Sequence, residues 1–112
     1  MKIDIHTQGF ELTAGLQAHT ERRIQFALDW ARHDIHTIKL NFSDINGPRG
    51  GDDKRCHLRI PMPHMRDVII EDTAADLYLA VDRAIDRAAR TLERRLSRQR
   101  EFGPTLSLAA YE

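Results

Sequence analysis

The sequence predicts one α+β domain, in which four strands form a single sheet and two helices pack on one of its faces. Three observations lead to this fold class. The 112 residues suffice for one hydrophobic core and not for two. Apolar residues alternate with polar ones in four short segments, and they recur at helical spacing in two longer segments. We place the domain at residues 1–101 and a short C-terminal tail at residues 102–112.

The chain begins with a predicted strand and a predicted helix. Ile3 and Ile5 alternate with polar neighbours, as in a strand with one buried face. Thr13 suits the N-cap of the following helix. Phe26 and Trp30 do not both fit the apolar stripe of that helix, so one of them is expected at its margin or on the surface. The stripe consists of Leu16, Ile24, Ala27, Leu28 and Ala31.

Three more strands follow the first helix. Alternating apolar residues over 38–42 and again over 56–62 predict a hairpin around the turn over 46–51, which is rich in glycine and proline. Prolines at positions 61 and 63 are expected to end the second strand of this hairpin or to place it near an edge of the sheet. Val68, Ile69 and Ile70 predict a short fourth strand.

The last predicted element is a long amphipathic helix. Residues 73–76 read as a capping box with aspartate in place of glutamate, and Gly103 with Pro104 is expected to end the helix after about Arg100. The element order is therefore β-α-β-β-β-α. The apolar stripe of this helix consists of Leu77, Val81, Ile85, Ala88, Leu92 and Leu96.

Composition and motifs exclude several functional classes. No stretch approaches the roughly 20 apolar residues of a membrane span, and the first residues contain no apolar core of a secretion signal, so we expect a cytoplasmic protein without a membrane partner. Cys56 is the single cysteine and lies on an apolar alternation, which predicts a buried, inert thiol. The chain has no C-x-x-C or H-E-x-x-H motif and no evident carboxylate pair. We therefore expect no metal, cofactor, small-molecule substrate or catalytic residue.

The charge distribution carries the strongest functional signal. The chain has 17 basic and 17 acidic residues, but the segment from Arg83 to Arg100 holds seven arginines and two acids, a local charge of +5. Five of these arginines recur on one helix face, roughly opposite the apolar stripe. Each guanidinium group can hold phosphate oxygens in two parallel hydrogen bonds, so this arginine stripe favours a nucleic acid. It consists of Arg83, Arg87, Arg90, Arg94 and Arg98.

A second interpretation of the stripe is a solvated helix laced by ion pairs one turn apart. Arg83 with Asp86, Asp86 with Arg90, and Arg90 with Glu93 have the required spacing, and each pair would contribute only a few tenths of a kcal/mol. Charge alone leaves both interpretations open.

Two further surfaces are candidates for phosphate contact. Alternation in the central strands turns a set of polar residues away from the helices, so that the open face of the sheet would be basic or merely soluble. The glycine-rich hairpin tip over 46–55 is either a phosphate-binding nest or a plain turn. The residues on the open face are Lys39, Asn41, Arg55, His57 and Arg59.

The sequence resembles a known family over about residues 1–100. This is the family of ribosome hibernation promoting factors and ribosome-associated inhibitor proteins, also described as sigma-54 modulation proteins. The resemblance lies in the first strand, in both ends of the first helix and above all in the start of the second. Its residues are Lys2–Ile5, Leu12–Leu16, His19, Arg23, Trp30, Asp76–Asp82, Asp86, Arg87, Arg90, Leu92 and Arg94.

The resemblance implies a double-stranded-RNA-binding-domain-like fold and a non-enzymatic function. A protein of this family would bind the small ribosomal subunit and its 16S-type ribosomal RNA near the decoding centre, and would inactivate or protect ribosomes under stress. RNA contacts carried over by position are Arg23, Arg87, Arg90 and Arg94, and the stripe geometry adds Arg22, Arg83 and Arg98.

The resemblance predicts that the chain acts as a short form of the family, without the second, C-terminal domain of the long members. Few aromatic residues are available to stack on bases, so we expect recognition of RNA shape and backbone. The rival interpretation is a protein-interaction module that docks its basic helix on an acidic protein and anchors itself through apolar residues in Phe102–Tyr111.

Overall fold

The structure, a computed structural model, describes residues 1–45 and 53–111, with side chains described as far as Arg100. The predicted element order is confirmed, with one 3-10 turn added after the first helix. The hairpin tip over 46–52 lies outside the described residues. The elements are β1 (Lys2–Gln8), α1 (Ala14–Leu28), the 3-10 turn (Asp29–Ala31), β2 (Thr37–Asp44), β3 (Lys54–Ile60), β4 (Val68–Ala74) and α2 (Leu77–Tyr111).

The four strands form one mixed sheet in the order β1-β2-β3-β4. β1 runs parallel to β2, since α1 carries the chain back between them, whereas the later pairs are antiparallel. The register places Ile3 beside Ile38, and Leu40 beside Leu58. Apolar side chains of successive strands therefore point to the same face, and both helices cover that face.

The core lies between this face and the two helices. Phe42, Leu58 and Ile85 are fully buried there, together with most of the predicted stripes of α1 and α2. Thr20 is also buried on α1, where its hydroxyl donates to the Leu16 carbonyl at 2.8 Å and so leaves no donor unsatisfied. Ile3 is only half-buried, because β1 is an edge strand.

The start of α1 is confirmed, whereas the predicted start of α2 is wrong. Thr13 Oγ1 accepts from the Leu16 amide at 3.1 Å, as expected of an N-cap. Thr73 instead belongs to β4, which runs four residues further than predicted. The reason is that its antiparallel pairing with β3 continues as far as Lys54, the first residue of β3. Asp76 therefore caps α2, accepting from the Tyr78 amide at 2.9 Å.

The predicted end of α2 is also wrong. The helix continues through Gly103 and Pro104 as far as Tyr111. Local propensity disfavours this continuation, since proline removes one helical hydrogen bond and crowds the carbonyl four residues earlier. The division into a domain over 1–101 and a tail over 102–112 stays a prediction.

Candidate nucleic-acid interface

A chain of polar contacts joins α1 to α2. His19 Nε2 lies 2.7 Å from Asp82 Oδ1, and its ring packs at 4.9 Å from the ring of Tyr78. Arg23 donates through Nη2 to Asp86 Oδ1 at 2.8 Å, and its Nε forms an ion pair with Asp82 at 3.2 Å without hydrogen-bond geometry. Arg23, one of the predicted RNA contacts, is therefore bound to two carboxylates of the neighbouring helix.

The first two arginines of the stripe are bound to β4. Arg83 donates to the Thr73 carbonyl at 2.8 Å, and Arg87 donates to the Glu71 carbonyl at 2.9 Å. Both also form ion pairs with the carboxylate of Asp72, at 3.4 and 3.3 Å. The side chain of Asp72 is only 13% exposed, so these contacts hold the start of α2 against the sheet.

The other stripe arginines extend into solvent from the middle of α2. Within residues 1–45 and 53–100, Arg90 and Arg98 have no ion pair or hydrogen bond from the side chain, and Arg94 has only a long contact of 3.5 Å to the Thr91 hydroxyl. Arg22 of α1 is exposed and equally free within the same ranges. From Arg90 to Arg98 the row is about 12 Å long, at the helical rise per residue. We call Arg22, Arg90, Arg94 and Arg98 the free arginines.

The ion pairs of the solvated-helix interpretation do not form among the described side chains of α2. None of the three pairs occurs in the part of the chain whose side chains the structure describes, because Asp86 turns to Arg23 on α1 and Arg83 turns to the sheet. Arg90 thus keeps its charge uncompensated, as the nucleic-acid interpretation requires, although two of the five stripe arginines do not.

Comparison with known families decides where the chain belongs. The sequence model of a family described as "Sigma 54 modulation protein / S30EA ribosomal protein" matches residues 3–100. The chain belongs to this family. The match covers almost the whole described domain, and it confirms the resemblance drawn from the residues of both helices.

Two solved structures share the fold of this family member. One is titled a ribosomal subunit interface protein from Coxiella burnetii, with a TM-score of 0.73 at 21% identity, over 87% of this chain and 99% of that one. The other is titled the N-terminal domain of Protein Y from Thermus thermophilus, with a TM-score of 0.68 at 25% identity, over 84% of this chain and 98% of that one. No curated protein sequence matches the chain.

In this family member the open face of the sheet has the predicted residues but not the predicted surplus of positive charge. Lys39 pairs in register with Arg59, and both point away from the helices. Arg59 Nη2 lies 2.8 Å from Asp67, and Arg55 lies 3.5 Å from Glu71. Since both arginines of this face have carboxylate partners, the face is less suited to a polyanion than the outer side of α2.

Asp72 is the functional neighbour that sequence reasoning missed. It continues the inward alternation of Val68 and Ile70 along β4, where a carboxylate must find a cation. That alternation was visible in the sequence, but the identity of the cations was not. Arg95, outside the predicted stripe, similarly binds the carbonyls of Arg66 and Asp67 at 2.8 and 3.1 Å.

Metal ligands, the cysteine and membrane-spanning helices are the remaining features that the sequence raised. The side chains of residues 1–45 and 53–100 include no group of three potential ligands close enough to share a metal ion. The predicted burial of Cys56 is confirmed, and this burial, together with the nearby charge of Asp72, raises the pKa of its thiol to about 12. No helix in these ranges combines the length and apolar content needed to cross a bilayer.

Proposed function

We propose that this protein is a non-enzymatic translation regulator of the cytoplasm that binds the small ribosomal subunit through ribosomal RNA near the decoding centre. There it would inactivate or protect ribosomes under stress. Membership of a family described as ribosomal supports the ribosome as partner. The Coxiella burnetii structure, titled a ribosomal subunit interface protein, supports the same partner.

The observation that carries the proposal is the row of free arginines on the outer side of α2. Arg90, Arg94 and Arg98 project from a rigid helix without carboxylate partners in the described part of the chain. A row of uncompensated guanidinium groups attracts a row of phosphates, since binding releases the counterions that the RNA had condensed. Glu93 lies within one helical turn of Arg90 and Arg94, yet it pairs with neither in the described part of the chain.

The predicted contacts then divide into two groups. We assign phosphate contacts to the free arginines. Arg23, Arg83 and Arg87 instead position the two helices, because each already bonds a carboxylate. This makes Arg87 a poor choice for mutation, since glutamate there would face Asp72 and disturb the packing of α2 on the sheet.

Charge reversal tests the assignment. The variant Arg90→Glu with Arg94→Glu removes two phosphate contacts and adds repulsion, so its affinity for small subunits should fall by about a hundredfold or more. The measurement is co-sedimentation of purified protein with small ribosomal subunits at low salt. Circular dichroism should show an intact fold, because both side chains are exposed.

A matched control carries the same charge change on the opposite face. Lys2→Glu with Lys39→Glu alters two exposed lysines on the open side of the sheet, and it should co-sediment like the unaltered protein. Equal loss in both variants would mean that total charge, and not the row on α2, governs binding. Normal co-sedimentation of the Arg90→Glu, Arg94→Glu variant would overturn the assignment.

A further inference from the structure

A groove lies along the exposed side of α1 and contains the most exposed large apolar side chain in the described part of the chain. This side chain is Phe26, which is 83% exposed. The groove is shallow and open to solvent, with a volume of about 890 Å³. Its lining residues are Met1, Arg22, Arg23, Gln25, Phe26, Asp29 and Arg32.

Phe26 does not serve the core. It lies about 200° around α1 from the buried Ile24, and so it points away from the sheet. A single exposed apolar side chain is ordinary on a protein surface. The unusual feature is its setting, because this phenyl ring stands in a groove among three arginines.

The arginines around the ring are differently restrained. The guanidinium carbon of Arg23 is 6.0 Å from the centre of the Phe26 ring, within cation–π range, and Asp82 and Asp86 fix it in that place. Arg32 has a weak ion pair of 3.4 Å with Asp29, and Arg22 is one of the free arginines. The groove therefore combines the flat apolar ring of Phe26, the fixed guanidinium group of Arg23 and the guanidinium group of Arg22, which is available to a ligand.

This combination complements an unpaired nucleotide. Any of the four bases can stack on an aromatic ring, while a neighbouring guanidinium group binds the phosphate. The Gln25 amide, which also lines the groove, offers both a donor and an acceptor to the edge of a base. A protein partner of apolar chemistry would leave Arg22 without a counter-charge, and bases in a duplex are already stacked on one another.

We propose that this groove binds a splayed-out nucleotide of single-stranded RNA, with its base on Phe26 and its phosphate on Arg22. The proposal rests on the proposed function and deepens it. The protein would then recognise an unpaired base in addition to RNA shape and backbone.

Oligonucleotide binding tests the proposal directly. The probe is fluorescein-labelled oligo(rA) of about 12 nucleotides, followed by anisotropy. Phe26→Ala should weaken binding about tenfold, and Phe26→Tyr should restore it to within about twofold, because the ring is what the base contacts. The control Ile69→Ala, which removes another exposed apolar side chain on the open face of the sheet, should bind like the unaltered protein.

A fluorescent reporter in the groove separates bases from phosphates. Trp30 is the only tryptophan, so Trp30→Phe combined with Phe26→Trp moves the single indole into the groove. Its fluorescence should be quenched by oligo(rA) and not by inorganic polyphosphate at equal phosphate concentration. Equal quenching by both would overturn the proposal.

The outcomes distinguish this proposal from the proposed function. If the unaltered protein fails to co-sediment with small subunits, the proposed function fails. If it co-sediments while Phe26→Ala binds oligo(rA) at full affinity, only the groove proposal is overturned. The groove proposal is equally overturned if Phe26→Ala weakens ribosome binding alone, which would indicate a protein contact, or if it abolishes self-association in sedimentation velocity.

Discussion

The salt dependence of ribosome binding should report how many arginines face phosphate. Each phosphate contact contributes about −0.7 to −0.9 to the slope of log affinity against log salt concentration. With only the free arginines in contact, the slope should be about −3 to −3.6. Affinity should then fall about 30-fold when KCl rises from about 0.1 M to about 0.3 M.

Contact by all seven predicted arginines would give a different result. The slope would approach about −5 to −6, and the same rise in salt would weaken binding by about 500-fold. The structure favours the smaller value because Arg23, Arg83 and Arg87 already bond carboxylates. Equilibrium binding to small subunits at four or five salt concentrations separates the two expectations.

Single substitutions refine the measurement. Arg90→Ala should make the slope less negative by about 0.7 to 0.9, whereas Lys39→Ala, on the opposite face, should leave it unchanged. A slope steeper than about −5 would refute the division into free and bound arginines. A slope shallower than about −1 would refute phosphate recognition altogether and favour docking on an acidic protein.

Three other predictions concern the fold. Asp72→Ala removes the carboxylate shared by two arginines of α2. It should lower the free energy of unfolding, measured in urea, by about 1–2 kcal/mol. An unchanged free energy of unfolding would mean that these contacts do not stabilise α2. The hydrogen bond from Arg59 holds the pKa of Asp67 below its ordinary value of 3.8. The ionised Asp67 therefore stabilises the folded protein fully above pH 3.8, and this stabilisation is lost as pH falls through the pKa of the folded state. Asp67→Asn should therefore lower Tm at neutral pH, and a deficit that did not shrink in acid would contradict this reasoning. Cys56, whose pKa burial raises to about 12, should react with a thiol reagent at about pH 8 only after unfolding, and rapid reaction of the native protein would contradict its burial.

The contacts between the helices explain how the candidate interface stays rigid. The carboxylates of Asp82 and Asp86 on α2 hold His19 and Arg23 on α1. The close approach is possible at Gly15, where an added Cβ would lie 3.2 Å from the Tyr78 hydroxyl. The free arginines of α2 and the groove of α1 thus belong to one packed pair of helices, which these contacts order before any ligand binds.

Local patterns determined most of the fold. Alternation fixes which residues of β2 and β3 face the helices, and helical spacing fixes the buried stripe of α2, because both depend on neighbours only a few residues away. One prediction failed where a local signal competed with a longer-range one. Thr73 looked like the start of a helix, but pairing with β3 kept it in β4. The proline at position 104 looked like a stop, yet α2 continues to Tyr111.

The sequence by itself determined that this protein would present a row of arginines on one side of its last helix. Only the tertiary structure decided which of them stay available. Arg87 meets Asp72 from 15 residues away, and Arg23 meets Asp86 from 63 residues away. No local period encodes such pairings, because they depend on how α2 lies across β4 and beside α1, and that placement is set by the shared core beneath them.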